Sequence, residues 1–429
     1  MRVVLVRDLQ CRAGETIDHV VEDVNTLHGD AVIVLGDYAY GEIFGAYEAF
    51  ETIAKAFETL QCPVFIPMVG NHDVQHEAGE CIYPNGRAAA NYEKAFGKKP
   101  CNQVLEFEDF RVFIVHSDSQ KKGDCWTVNE CYVTDEHFAE IKERLDQYPD
   151  KPAIMVTHAP IVESGLLTVP QTHVRASNAY MDQDHGFQRW IDLADDYRQI
   201  IMWFNGHYHM GHHHPDSMNV RDGLAYFVTG CATSACRDGQ HHTRVVDVMD
   251  GEIVVSTYDH DSKKISEDYR QMLQVRPQQR EERPKYKKFA AGCGVVVPDG
   301  LKWGKNGMVY AQTEDDYLWE IDPVHGIANG TLHHSDRYRL ETYTVDEDGI
   351  WRVCGDRIFK HGYAEKQRFM RAKDWDQCVF EEDKRENLPT DLGESFMHQA
   401  HPACRINDEM ICITYNDADG RLYFETLKG

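Results

Sequence analysis

Residues 1–270 read as an α/β domain and residues 291–429 as a β-rich one. Two observations predict the first. Short apolar runs alternate with segments of helical periodicity, and a polar residue of metal-ligating type follows several of those runs. Such alternation implies a sheet that carries its ligands at the carboxyl ends of strands. A third observation, the turn pairs after residue 297, predicts the second domain.

The elements follow in order. Val3–Val6 is a strand that ends at Asp8. Residues 15–27 place Ile17, Val20, Val21, Val24 and Leu27 at helical spacing and stop at His28-Gly29. Ala31–Leu35 is a buried strand that ends in Gly36-Asp37, and residues 44–60 form a second helix. Val64–Val69 is a strand that runs into Gly70-Asn71-His72-Asp73. Residues 104–115 form a hairpin that turns at Glu108-Asp109. Thr134 is placed to cap a helix that runs to Gln147. Ala153–Val156 ends at Thr157-His158. A helix over 187–197 leads to the strand Ile200–Phe204, then to Gly206-His207-Tyr208-His209. Strands at 225–228, 243–248 and 253–257 complete the domain, and residues 264–275 read as a polar helix.

Residues 271–290, with the charged stretch Arg276–Lys288, read as a linker whose basic side chains stay in solvent. Beyond it, turn pairs such as Asn306-Gly307, Asp348-Gly349 and Asp419-Gly420 separate aromatic and β-branched runs, as in hairpins. There is no convincing repeat period. Trp303, Trp319, Trp351 and Trp375 are assigned to core. This C-terminal domain is a candidate for capping the site, for binding a partner or for homo-oligomer contacts.

Composition narrows the function classes. A hydrophobic share of 42% supports a real core, and 45 basic against 71 acidic residues give a net charge of −26. That disfavours a nucleic-acid polymer or an anionic membrane as partner, since both need a basic face. A phosphate substrate stays open, because bound metal ions reverse the local field. The 13 cysteines include no Cys-x-x-Cys, and Met1-Arg2 leads directly into Val3–Val6, unlike a secretory signal. The thiols are therefore read as reduced, Cys231 and Cys236 among them, and the protein as cytoplasmic.

The residues after the strands are Asp8, Asp37, Tyr40, Asn71, His72, His158, His207 and His209. Carboxylates, an amide carbonyl, imidazoles and a phenol form a mixed oxygen and nitrogen set suited to borderline metals such as iron, zinc or manganese. In an extended segment His207 and His209 point the same way, so each can serve one ion of a close pair. Asp37 is the natural bridge. Such a pair activates a water and clamps phosphate oxygens, while His72 stays available to protonate a leaving group. Asp73 either orients that imidazole or caps the turn. His212-His213-His214 reads as a solvated loop or substrate rim, with His173 and Arg175 as candidates for the substrate mouth.

Asp8-Leu9-Gln10, Gly36-Asp37, Gly70-Asn71-His72-Asp73, Thr157-His158 and Gly206-His207-Tyr208-His209 together resemble the calcineurin-like metallophosphoesterase superfamily, in order over residues 1 to about 260. The resemblance implies a four-layer sandwich, two mixed β-sheets flanked by helices, with a dinuclear site at one edge. Most members begin Asp-x-His, whereas this chain has Gln10 at that place. Purple acid phosphatases also lack that histidine and carry a Tyr three residues after the bridging Asp, where Tyr40 stands here. The resemblance therefore implies one ion held by Asp8, Asp37, Tyr40 and His209, and a second by Asp37, Asn71, His158 and His207. Gln10 either coordinates through its carbonyl or only hydrogen-bonds. The implied cofactors are Fe(III) with Fe, Mn or Zn, or two Mn ions. The stretch from Lys151-Pro152 to Pro160 is similar to bacterial cyclic-nucleotide phosphodiesterases of the superfamily. The expected function is hydrolysis of a small phosphodiester by a metal-bound hydroxide. A phosphomonoesterase of purple-acid-phosphatase type and a non-catalytic scaffold with a decayed metal site are the alternatives.

Overall fold

In the computed structural model the described residues are 1–10, 16–38, 45–74, 87–119, 131–166, 180–183, 186–213, 217–236 and 238–279, with the strand segments and residue 325 beyond 288. The chain divides into two compact units: residues 1–167 with 178–281, and residues 168–177 with 282–429.

The first unit holds two six-stranded sheets. One contains β1 (Arg2–Val6), β2 (Ala31–Val34) and β3 (Val64–Pro67), parallel to one another, followed beyond β1 by the antiparallel β10 (His242–Met249), β11 (Glu252–Asp259) and β12 (Lys264–Met272). The other has order β4 (Gln103–Glu106), β5 (Arg111–Ile114), β6 (Ala153–Val156), β7 (Ile200–Asn205), β9 (Leu224–Val228), β8 (Met218–Arg221). Its central four strands are parallel and its two edges antiparallel. Both sheets are therefore mixed.

Side-chain alternation builds the layers. Val3, Leu5 and Ile33 share one buried cluster with Ile154, Val156 and Phe204 of the other sheet, so the two sheets face each other. Val4, Val6, Val32 and Val34 point the opposite way. They pack with Val20 and Val24 of α1 (Asp18–Thr26) and with Phe50 and Ile53 of α2 (Tyr47–Phe57). On the second sheet, Trp203 meets Trp190 of α5 (Gln188–Asp196) edge-on at 6.1 Å. Trp190 in turn meets Phe138 of α4 (Asp135–Asp146) at 4.9 Å. Helices thus flank both sheets, and Thr134 caps α4 by accepting the His137 N–H.

Two elements differ from expectation. Residues 264–272 form β12, paired along β11, in place of a helix. As an edge strand it is largely exposed, so its polar residues carry no period-two signal; Tyr269 alone reaches the inter-sheet core. α3 (Arg87–Phe96) has no counterpart in the sequence reading. It is rich in alanine, and its apolar stripe is little more than Tyr92 and Phe96, which pack at 4.7 Å.

Arg276 also departs from the solvated linker. It is buried, and its guanidinium donates to the Ala194, Tyr197 and Asp222 carbonyls.

The second unit is all antiparallel strand among the described residues. β14 to β17 (Val296–Trp303, Val309–Thr313, Tyr317–Asp322, Ile327–Leu332) form one four-stranded meander, with β18 (His334–Ser335) and β19 (Tyr338–Arg339) a short pair after it. β20 to β23 (Glu341–Asp346, Gly349–Asp356, Lys366–Asp374, Val379–Glu382) form another meander. In the last sheet β13 (Phe289–Ala291) pairs with β26 (Arg421–Leu427), which continues to β25 (Glu409–Asn416) and β24 (Ala403–Ile406). Trp303, Trp319 and Trp351 lie on strands, and Trp375 lies outside the described residues.

Candidate metal centre

Strand register brings the candidate ligands to one edge. Val6, Val34 and Pro67 are in register across β1, β2 and β3, and Asp8, Asp37 and Asn71 follow just beyond them. Across the sandwich Val156 and Phe204 are in register, and His158 and His207 follow in the same way.

The backbone at these positions is unusual. Asp8, Asp37, His207 and His209 all have positive φ (42°, 57°, 76° and 52°). For non-glycine residues this costs about 1–3 kcal/mol each and persists where the surroundings over-determine it. The extended segment expected at His207–His209 is thus absent. His207 nevertheless lies beside His158, ring centres 5.3 Å apart, while His209 Nε2 lies 3.8 Å from Asp8 Oδ2.

Glycine makes room for the convergence. A Cβ on Gly70 would meet the His158 ring at 2.7 Å and run into Asp37 Oδ1. Gly36, at φ 91°, would drive a Cβ into the Gly70 backbone. The two loops therefore touch main chain to main chain.

At the centre, one ligand-type atom from each of Asp8, Asp37 and His158 lies within 4.8 Å of the others, all three residues buried. His158 Nε2 is 3.1 Å from Asp37 Oδ2 and 3.9 Å from Asp8 Oδ1. Its Nδ1 sits 2.6 Å from the Leu35 carbonyl, so Nδ1 donates there and Nε2 faces the carboxylates. Ligating histidines are oriented in this way. His209 Nδ1 similarly faces the Ala235 carbonyl at 3.2 Å. Asn71 is buried in the 3-10 turn Asn71–Asp73.

Charge is concentrated here. Burial disfavours the Asp37 carboxylate, but His158, His72 and His207 outweigh it and hold its pKa well below the ordinary range. Burial likewise opposes the His158 cation, yet Asp37, Asp8 and the Leu35 carbonyl raise that imidazole to about 9. The site is thus built to hold positive charge among its carboxylates. Buried oxygen and nitrogen donors, an inward-facing Nε2 and a clearance only glycine leaves all fit metal ions.

Other predicted residues divide. His72 is partly exposed beside the buried set, and its N–H donates to Asp37 Oδ1 at 2.9 Å. Asp73 does not orient that imidazole. Its carboxylate accepts the N–H groups of Asp37 (2.6 Å), Gly70 (2.9 Å) and Tyr38 (2.9 Å). It ties the Asp37 loop to the Asn71 turn, which is the capping role left open above. Gln10 is buried, and its N–H donates to the Asp37 carbonyl at 3.1 Å. Tyr38 packs edge-on against Phe50 and donates to the Met68 carbonyl. Tyr40, His173, Arg175 and His214 lie outside the described residues.

His212 is neither solvated nor a rim. It is buried, with Nδ1 2.7 Å from Thr257 Oγ1 and Nε2 accepting the Gly230 N–H. Both ring nitrogens are occupied, and burial with Arg244 nearby keeps it neutral.

Sequence reasoning missed two residues. Arg7 is fully buried and its guanidinium contacts the Asp8 carboxylate; a cation at the end of an apolar strand was the available signal. Cys131 is buried beside Asn71, His158 and His207. Its sequence neighbourhood carries no metal spacing.

Residues 1–211 match the model of the calcineurin-like phosphoesterase family. That part of the chain belongs to this family. A probable glycerophosphodiester phosphodiesterase of Arcobacter nitrofigilis is 25% identical over 185 residues, 42% of this chain. The chain spans 56% of that relative's length. Among solved structures, a purple acid phosphatase from yellow lupin (Lupinus luteus) seeds aligns with TM-score 0.45 and 13% identity, covering 63% of this chain and 53% of that one. Vps29 of Entamoeba histolytica, solved with zinc, aligns with TM-score 0.30 and 11% identity, over 64% of this chain and 99% of that one. No described helix is long and apolar enough to cross a membrane.

Proposed function

We propose that the protein hydrolyses a small phosphodiester at a two-metal centre. The observation that carries this reading is the buried convergence of Asp8, Asp37 and His158, with His158 Nε2 turned inward by the Leu35 carbonyl. In this reading Asp8 and His209 serve one ion, with Tyr40 as its further ligand from sequence position alone. Asn71, His158 and His207 serve the other, and Asp37 lies between them. Bound ions of this kind supply an activated water and a clamp on phosphate oxygens. The chain's own part is to fix the ligands on strained, tightly packed loops and to bury them from bulk water. His72, at the partly exposed rim, delivers a proton to the leaving oxygen. Iron, manganese or zinc suits this donor set.

The diesterase reading is supported by the stretch before His158 and by the matched relative, whose own name is that of a probable phosphodiesterase. A phosphomonoesterase is the second reading, favoured by Gln10 and Tyr40. A panel of aryl mono- and diesters separates the two. Faster turnover of the diester supports the first reading, and a preference for the monoester rejects it. A cytoplasmic location goes with the described thiols Cys62, Cys101, Cys231 and Cys236, which form no disulfide.

A further inference from the structure

Cys131 stands where a protein that uses only oxygen and nitrogen ligands has no need of a thiol. Its Sγ, one nitrogen of His158 and one of His207 lie within 4.8 Å of one another, and all three residues are buried. The Sγ also lies 3.7 Å from Asn71 Oδ1. Thus the sulfur approaches Asn71, His158 and His207, the residues assigned above to the second ion.

The backbone holds it there. Cys131 makes an isolated parallel bridge with Met181, and its carbonyl accepts the Asp182 N–H at 2.9 Å. Asp182 Oδ1 accepts the Val133 N–H at 2.9 Å. Asp182 Oδ2 in turn receives Trp190 Nε1 and the Arg189 guanidinium. The thiol is therefore positioned by a fixed segment.

We propose that Cys131 is a ligand of the ion held by His158 and His207. This rests on the metal-centre reading above and sharpens it. Beside the shared Asp37, two imidazoles, a thiolate and an amide oxygen make a set that selects a thiophilic ion such as zinc over manganese. On ligation the S–H bond breaks, sulfur donates its electron pair to the ion, and one proton passes to solvent.

The test uses the metal-free full-length protein titrated with cobalt(II). The expected result is a near-ultraviolet thiolate-to-cobalt band that Cys131→Ser removes while cobalt still binds. Zinc-over-manganese preference should fall at least about tenfold in the same variant, since sulfur is the soft ligand. Cobalt binding without the band, or a band that persists in Cys131→Ser, overturns the proposal and leaves the metal centre intact. No cobalt binding at all overturns both. Should Cys131→Ser fail to fold, X-ray absorption at the zinc edge of the zinc-loaded wild-type protein decides. A sulfur neighbour at about 2.3 Å supports ligation, and a shell of oxygen and nitrogen alone rejects it.

Discussion

His158 Nε2 lies 3.1 Å from Asp37 Oδ2, a residue from one sheet facing a residue from the other across the edge of the sandwich. Removing either partner should uncouple metal binding from folding. In Asp37→Asn the carboxylate charge is lost while the loop keeps its shape through Asp73. We expect metal content to fall by more than half, with thermal stability of the metal-free protein changed by no more than about 2 kcal/mol. Elemental analysis beside a melting curve checks both.

Gly70 gives a sharper version of the same test. Its φ of −96° suits any residue, so Gly70→Ala carries no backbone penalty. The added methyl meets Asp37 and His158 instead. Metal affinity should drop at least about tenfold, a change of about 1.4 kcal/mol. Titration calorimetry with manganese or zinc measures it, and unchanged affinity would show that the ligands do not converge as described.

His72 and Asp73 are adjacent in sequence and predicted to fail differently. Asp73→Ala leaves three buried N–H groups without their acceptor. It should destabilise by about 3 kcal/mol or more, at roughly 1–3 kcal/mol for each unsatisfied donor. His72→Ala should leave stability within about 0.5 kcal/mol. It should slow esters with poor leaving groups by about 10²–10⁴, and activated aryl esters far less. Equal losses on both substrates would remove the proton-donor role.

Acid sensitivity should trace in part to His116. Burial, with Lys98 and His137 nearby, pushes this imidazole down to about 3. Its Nδ1 accepts the Val69 N–H at 3.2 Å, so the fold needs it neutral. An unfolded histidine titrates near 6.5. Between these values the unfolded chain binds the extra proton, so stability falls as pH drops below about 6.5, by up to about 1.4 kcal/mol per unit. In His116→Gln that part of the slope should vanish. Denaturant midpoints of the chelated protein from pH 7 to 5 test this.

The architecture was legible where the sequence alternated strongly. β1, β2, β6 and β7 are short apolar runs buried on both faces, each ending in a polar residue, and pattern alone locates them. The candidate ligand residues stand out because they follow those runs directly. Which of its two roles Asp73 takes was not legible, nor were Cys131 and His212, since these depend on partners far away in the chain. Asp73 meets Tyr38 and Asp37 some 35 residues earlier, and Cys131 Sγ meets Asn71 60 residues earlier. β12 was misread because an exposed edge strand has little apolar face to alternate.

The central claim is that this edge of the sandwich holds a pair of catalytic metal ions. Metal content of the stripped protein after reconstitution, measured together with diester hydrolysis, tests it most directly. The account predicts about two ions per chain, hydrolysis that appears only with them, and loss of both in His158→Ala. A protein that binds no metal, or that hydrolyses diesters equally well after chelation, would contradict it.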